Sequence, residues 1–231
     1  MKAPAIVNEA VELRRLPRVT IEMRGDEHCR GLYEHFTRRH PKYRLIQNKA
    51  WGAALLPLPD TNEQYLAGGK REKLRYHLRR ARKKGYTVDL VDRVARLDEI
   101  MAINGSAEER QGRPMHPDYL DREQVVDYLG RASELYGVYD TDGVLQAYAD
   151  VREAGDVVCV SRLLGAADAL PDGVMWLMMA EIIARMIERR QATGKPIWFM
   201  YDMFSGASAG LRQFKEGIGC EPYTVKWVWR D

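Results

Sequence analysis

Apolar positions in this chain recur first at strand spacing, then at helix spacing, and then in a regular alternation of the two. Val19-Thr20-Ile21-Glu22-Met23 alternates as a short strand, and Asp26 is placed to cap a helix running to about Arg39. Tyr43 to Asn48 and Trp51 to Leu58 read as a hairpin that Pro57, Pro59 and Asp60 bring to an end. From Gln64 to Lys84 the spacing changes to that of a helix, with Leu74, Leu78 and Ala81 on one face. Gly85 stands where a helix C-terminal stop belongs.

Beyond Gly85 the elements follow in order. Tyr86 to Val91 is a strand, Leu97 to Arg110 a helix, and Pro117 to Ala132 a second helix after a polar loop. Three strands follow, Leu135 to Tyr139, Val144 to Val151 and Val157 to Leu164, with turns at Asp140–Gly143 and Glu153–Gly155. After the loop Gly165 to Pro171, Asp172-Gly173 opens the longest helix, which runs to about Gln191. A buried strand from Pro196 to Asp202, a Gly/Ser turn, a short helix through Lys215 and a strand from Tyr223 to Trp229 complete the pattern. It predicts a mixed α/β fold in three parts: a strand–helix–hairpin layer over 1–62, a basic helix over 63–85, and an α/β domain over 86–231.

Composition narrows the classes. Thirty-six Lys and Arg against 33 Asp and Glu leave a formal charge of +3, so only the distribution of charge is informative. Cys29, Cys159 and Cys220 are an odd number without paired spacing, which points to buried thiols in a reducing compartment. Charges at Glu9, Glu12, Arg14 and Arg15 interrupt any leader-like apolar run, and Val174 to Ile183 is too short to span a bilayer. The expectation is a soluble cytoplasmic protein without a membrane partner. The five histidines show no metal-ligand spacing, so no metal is expected.

Several constellations could carry chemistry. Gly206-Ala207-Ser208-Ala209-Gly210 matches G-x-S-x-G between a strand and a helix, but no histidine follows His116 to serve as base, so a tightly packed turn is the better reading. Ser161, Arg162 and Leu163 at a strand edge, with Asp172, Gly173 and Val174 at a helix start, could hold the anionic part of a cofactor. The plainer alternative is that Asp172 only caps the helix. Arg110, Gln111 and Arg113 in a loop could offer forked donors to an acceptor substrate, or could simply be solvated. On the basic helix, Arg71, Arg75, Arg79 and Arg82 form a stripe suited to a polyanion such as tRNA, or a solvated face. Glu109 and Asp202 are candidate general bases.

Two stretches carry a resemblance. Leu78-Arg79-Arg80-Ala81-Arg82-Lys83-Lys84-Gly85 precedes the strand at Tyr86, and Phe214-Lys215-Glu216-Gly217-Ile218-Gly219 precedes the final strand. With the element order from Tyr86 to Trp229, about three-fifths of the chain, this resembles the GNAT acyltransferase superfamily in its FemAB-like and BioF2-like branches. The resemblance implies an N-acyltransferase with a GNAT-like α/β fold and a small N-terminal α/β extension. Its donor would be an acyl-CoA or an aminoacyl-tRNA, neither bound permanently, and its acceptor a small-molecule or peptide amine. It places the stabilisation of developing negative charge on Lys215, with Phe214 packed beneath. The start of the long helix, with only Gly165 and Gly173, departs from the Q/R-x-x-G-x-G/A of ordinary GNAT enzymes, which leaves the donor open. A catalytically silent module that binds RNA or a ligand is the alternative.

Overall fold

The computed structural model describes residues 15–41, 44, 46–110, 112–131 and 134–231, which fall into two units with separate cores. One unit combines Met1–Pro57, Glu153–Cys159 and Lys195–Asp231; the other combines Leu58–Arg152 and Val160–Gly194. In chain order the first half contains β1 (Arg18–Met23), α1 (Glu27–Thr37), β2 (Trp51–Pro57), α2 (Asn62–Leu66), α3 (Glu72–Lys83), β3 (Thr87–Leu90), α4 (Leu97–Gly105), β4 (Glu109–Arg110) and β5 (Arg113–Pro114). There follow α5 (Arg122–Arg131), β6 (Glu134–Tyr139), β7 (Leu145–Ala154), β8 (Val157–Gly165), α6 (Val174–Thr193), β9 (Trp198–Met203), α7 (Ala209–Ile218) and β10 (Glu221–Trp229).

In the first unit the strands run β1-β10-β2-β9-β8. β1 lies parallel to β10, from Arg18 opposite Thr224 to Met23 opposite Trp229. β2 is antiparallel to both β10 and β9, and β8 is parallel to β9 where Val157–Cys159 faces Trp198–Met200. Alternate residues point to opposite faces of a strand, so Ile21, Met23, Leu55, Met200, Val225 and Trp227 gather in one core. Asp26 caps α1 by accepting from the Cys29 amide at 2.9 Å, and Phe36 of that helix packs 4.8 Å from the Trp227 ring.

In the second unit β7, β6 and β3 form antiparallel pairs. Leu177, Met178, Ile182, Ile183 and Met186 of α6 are fully buried, and α6 packs on α3. A distinct cluster joins Ile100 and Ile103 of α4, Val125 and Leu129 of α5, and Leu135, Leu145, Tyr148 and Leu164 of the strands. Burial of each such side chain contributes about 1.5–3 kcal/mol.

Local chemistry moved several boundaries. The helix expected over Gln64–Lys84 is broken because Gly68 adopts φ +80°, so α2 ends at Leu66 and α3 begins at Glu72. The Arg75 guanidinium donates to the carbonyls of Leu66 (2.6 Å) and Gly68 (2.9 Å), satisfying backbone that the break leaves open. The helix expected from Pro117 starts at Arg122, where Asp121 accepts from the amides of Glu123 and Gln124. Gly105, not Arg110, ends α4. Within the hairpin expected from Tyr43, Tyr43 and Leu45 lie outside the described residues, and Gln47 bridges Arg39 rather than β2. Ser208 caps α7 by accepting from the Leu211 amide, which gives the G-x-S-x-G turn a structural role.

Gly155, at the turn between β7 and β8, has φ +66°, and a Cβ there would sit 2.6 Å from the Glu22 carbonyl oxygen. Gly155→Ala should therefore lower stability by about 1–3 kcal/mol in a denaturant titration.

Candidate active site

α7 is short and amphipathic, begun by Ser208 and stopped by Gly219 in the left-handed conformation. Its inward positions are Lys215 and Ile218, and Lys215 is only 1% exposed. The Lys215 ammonium donates to the Met203 carbonyl at 2.5 Å and lies 4.9 Å from the Tyr201 ring centroid and 5.8 Å from that of Phe204. It forms no ion pair among the described residues, since the neighbouring Asp202 carboxylate is bonded to Lys49 at 2.5 Å. Burial pushes the Lys215 pKa down, and the charge of Asp202 opposes that shift. Asp202 is the non-glycine residue with positive φ, +52°, among the described residues, and it lies where β9 shifts register against β2. Phe214 meets the Tyr201 ring edge-on at 6.0 Å. Lys215, Phe214 and Asp202 therefore gather in the first unit around Tyr201.

The second unit holds a different polar cluster. Asp150, 3% exposed on β7, accepts through Oδ2 from the Tyr128 hydroxyl (2.6 Å) and the Ser161 hydroxyl (2.8 Å). Arg162 lies over the rings of Tyr128 and Tyr119, 3.5 and 4.4 Å from their centroids. The Tyr148 hydroxyl donates to Asn104 Oδ1 at 2.6 Å, and Asn104 Nδ2 donates to the Tyr119 carbonyl at 2.8 Å. Arg110 donates to the carbonyls of Ile103 and Gly165 and to the Ser106 hydroxyl, and burial pushes its pKa down. Leu163 is half-buried, while Arg113 and Glu109 are exposed on the two-stranded β4–β5 ladder. Gln111 lies outside the described residues.

The start of α6 corrects the capping expectation for Asp172. Gly173, with φ +89°, occupies the cap position and makes no side-chain cap bond, while Asp172 ends a preceding 3-10 turn. The Asp172 carboxylate instead accepts from Lys84 at 2.6 Å and Tyr86 at 3.1 Å, with Arg80 at 3.7 Å. The hydrogen bond from Lys84 is the main reason its pKa is lowered. A Cβ on Gly173 would meet the His77 backbone oxygen at 3.1 Å, and the His77 ring stacks on Trp176 with centroids 4.8 Å apart. Side chains of α3 thus pack against the first turn of α6, with Val174 fully buried.

The arginine stripe of the basic helix is divided in use. Arg75 holds backbone carbonyls, Arg82 pairs with Glu181 at 2.6 Å, and Arg71 lies 5.9 Å from the Tyr65 ring. Arg79 is exposed to solvent.

Solved structures share this architecture. FemX aligns over 74% of this chain with a TM-score of 0.56 at 13% identity. The chain shares the fold of FemX. L-PGS from Bacillus licheniformis (TM-score 0.51, 16% identity) and a conserved protein of unknown function from Bacteroides thetaiotaomicron VPI-5482 (TM-score 0.52, 17% identity) each align over the same 74% share. This chain spans 59%, 58% and 56% of FemX, L-PGS and the Bacteroides protein respectively. No family model matches the sequence, and no curated protein matches it either. Among the described residues, no helix is long and apolar enough to cross a membrane.

Some residues here carry no motif. Asp150 was detectable only as a carboxylate inside the apolar run Ala147 to Val151, and Tyr201 and Phe204 only as aromatics near a strand end.

Because burial lowers the Lys215 pKa on folding, the unfolded chain binds the extra proton between the lowered folded pKa and the ordinary lysine value of about 10.4. Stability of the wild type relative to Lys215→Met should therefore rise with pH across that alkaline window, as read by denaturation midpoints at a series of pH values.

Proposed function

We propose that this chain is an N-acyltransferase that moves an acyl or aminoacyl group from an activated carrier to an amine. The observation that carries the reading is Lys215, a buried ammonium bonded to one main-chain carbonyl, with no counter-ion among the described residues. A charge held this way is costly unless it meets negative charge at some stage of the working cycle. Attack of an amine on an ester or thioester forms a C–N bond and places negative charge on the former carbonyl oxygen. That charge collapses as the C–O or C–S bond breaks and the amine proton is lost. An ammonium has three hydrogens, and Lys215 gives one to Met203, so two can serve the oxyanion. The Phe214-Lys215 pair matches the Fem-type motif at the position where the resemblance implies this role.

For the donor we favour an aminoacyl-tRNA ester over an acyl-CoA. The first turn of α6 is packed by His77, whose backbone and ring lie against Gly173 where a pyrophosphate would have to approach. Arg79 and Lys83 leave exposed cations on α3 that a nucleic-acid backbone could neutralise.

Lys215→Met should reduce transfer by about 10²–10³-fold with donor binding retained, measured with aminoacyl-tRNA and a panel of amines. Unchanged turnover would assign Lys215 to fastening α7, whereas absence of transfer by the wild type across the panel would leave a silent binding module as the better reading. For tRNA, affinity should fall with salt, and Arg79→Glu with Lys83→Glu should flatten the log–log slope by about 0.7–0.9 for each phosphate no longer neutralised. Identical slopes in wild type and variant would exclude α3 as the surface that meets tRNA.

A further inference from the structure

We propose that the cluster around Asp150 and Arg162 binds an α-amino-acid group, with Asp150 receiving the ammonium and Arg162 the carboxyl or carbonyl oxygen. Asp150 stands between Ala149 and Val151, both buried, so its carboxylate is set into the apolar part of the second unit. Oδ2 has two donors, Tyr128 and Ser161, yet Oδ1 is buried without a hydrogen-bond partner among the described residues. On the following strand, the Arg162 guanidinium is fixed between two tyrosine rings, and its Nη1 is likewise buried without an acceptor. Both groups touch Tyr128, one through its hydroxyl and the other through its ring face. An unpaired acceptor of negative charge and an unpaired donor of positive charge thus meet around one side chain.

Buried ionised groups are normally given their full set of partners, because the shortfall is a large cost. The chemistry of the shortfall selects the ligand. A phosphate or simple carboxylate would be repelled by Asp150, and a simple amine by Arg162. A group with an ammonium and a carboxyl oxygen a few bonds apart complements both. Arg110 adds a third unpartnered atom, its buried Nε, and both arginines act electrostatically on the Tyr148 hydroxyl. Two guanidinium groups against one carboxylate favour a ligand that brings negative charge along with its ammonium. The rings of Tyr119 and Tyr128 hold the Arg162 guanidinium in place, and Asn104 anchors the turn that carries Tyr119. Arg162 and Ser161 thereby belong to substrate recognition by charge pairing rather than to a phosphate edge.

The inference names a substrate class for the proposed transfer and rests on that reading for its biological source, but binding itself is measurable without turnover. The amino-acid group can come from a free amino acid acting as acceptor or from an aminoacyl ester acting as donor. Calorimetric titration of the full chain with free amino acids, their methyl esters and their N-acetyl derivatives separates these. Free amino acids should bind, and N-acetylation should abolish binding because a neutral amide cannot pair with Asp150. Methyl esters binding as well as free amino acids would identify the aminoacyl ester as the source; loss of binding on esterification would identify the free carboxylate. Asp150→Asn and Arg162→Met should each weaken binding by about tenfold or more, without lowering the melting temperature of the unliganded protein. Lys215→Met should bind as wild type does, so failure of the transfer reading would leave this result standing. Absence of binding at millimolar amino acid across the panel, or binding that survives both variants, would overturn the proposal. So would a crystal structure grown with amino acid in which water alone bridges Oδ1 and Nη1.

Discussion

The hydrogen bond from the Lys215 ammonium to the Met203 carbonyl sets the terms for the C-terminal part of the chain. Taking an ammonium out of water is tolerable only when a strong acceptor is already fixed in place. β9 provides that acceptor at its last residue, where the Met203 carbonyl accepts from Lys215. Asp202, within β9 where its pairing with β2 shifts register, has a left-handed conformation next to the Met203 carbonyl that accepts from Lys215.

The same rule operates with the opposite sign in the second unit. Asp172 is a buried carboxylate whose partners, Lys84, Tyr86 and Arg80, are all supplied by the chain. Asp150 is a buried carboxylate whose partners are supplied only in part. The first arrangement is a clasp between the end of the basic helix and the turn before α6, and it is complete. Incompleteness separates a site from a fastening, and it is visible only atom by atom.

How much could be read from the residues follows from range. The strand and helix order after Gly85 was legible because it depends on local period and on turn residues such as Asp140 and Gly143. The FemAB-like fold was legible through the Phe214–Gly219 segment. Asp172 was not, because capping preference is a property of neighbours in sequence, whereas its real partners Lys84 and Tyr86 are more than eighty positions away. The stripe on α3 looked uniform because helical spacing cannot reveal that Arg75 turns back to hold the Leu66 carbonyl. Asp150 escaped for the same reason, and Arg162 stood out only as part of a strand edge: their meeting is made by strand pairing and by Tyr128 on α5.

The parallel pairing of β1 with β10 brings Arg18 beside Thr224 and Met23 beside Trp229. Chain synthesis is directional, so β1 leaves the ribosome long before its partner exists. The first unit, assembled from three separated segments, has to wait for Glu221–Trp229 before its edge can close. Closing a loop of that length carries a large entropic cost, and the ladder returns free energy only after closure. Until then Ile21 and Met23 present an apolar strand with no neighbour, a form prone to wrong pairing. The pairing of β1 with β10 can therefore form only after the last strand has been made.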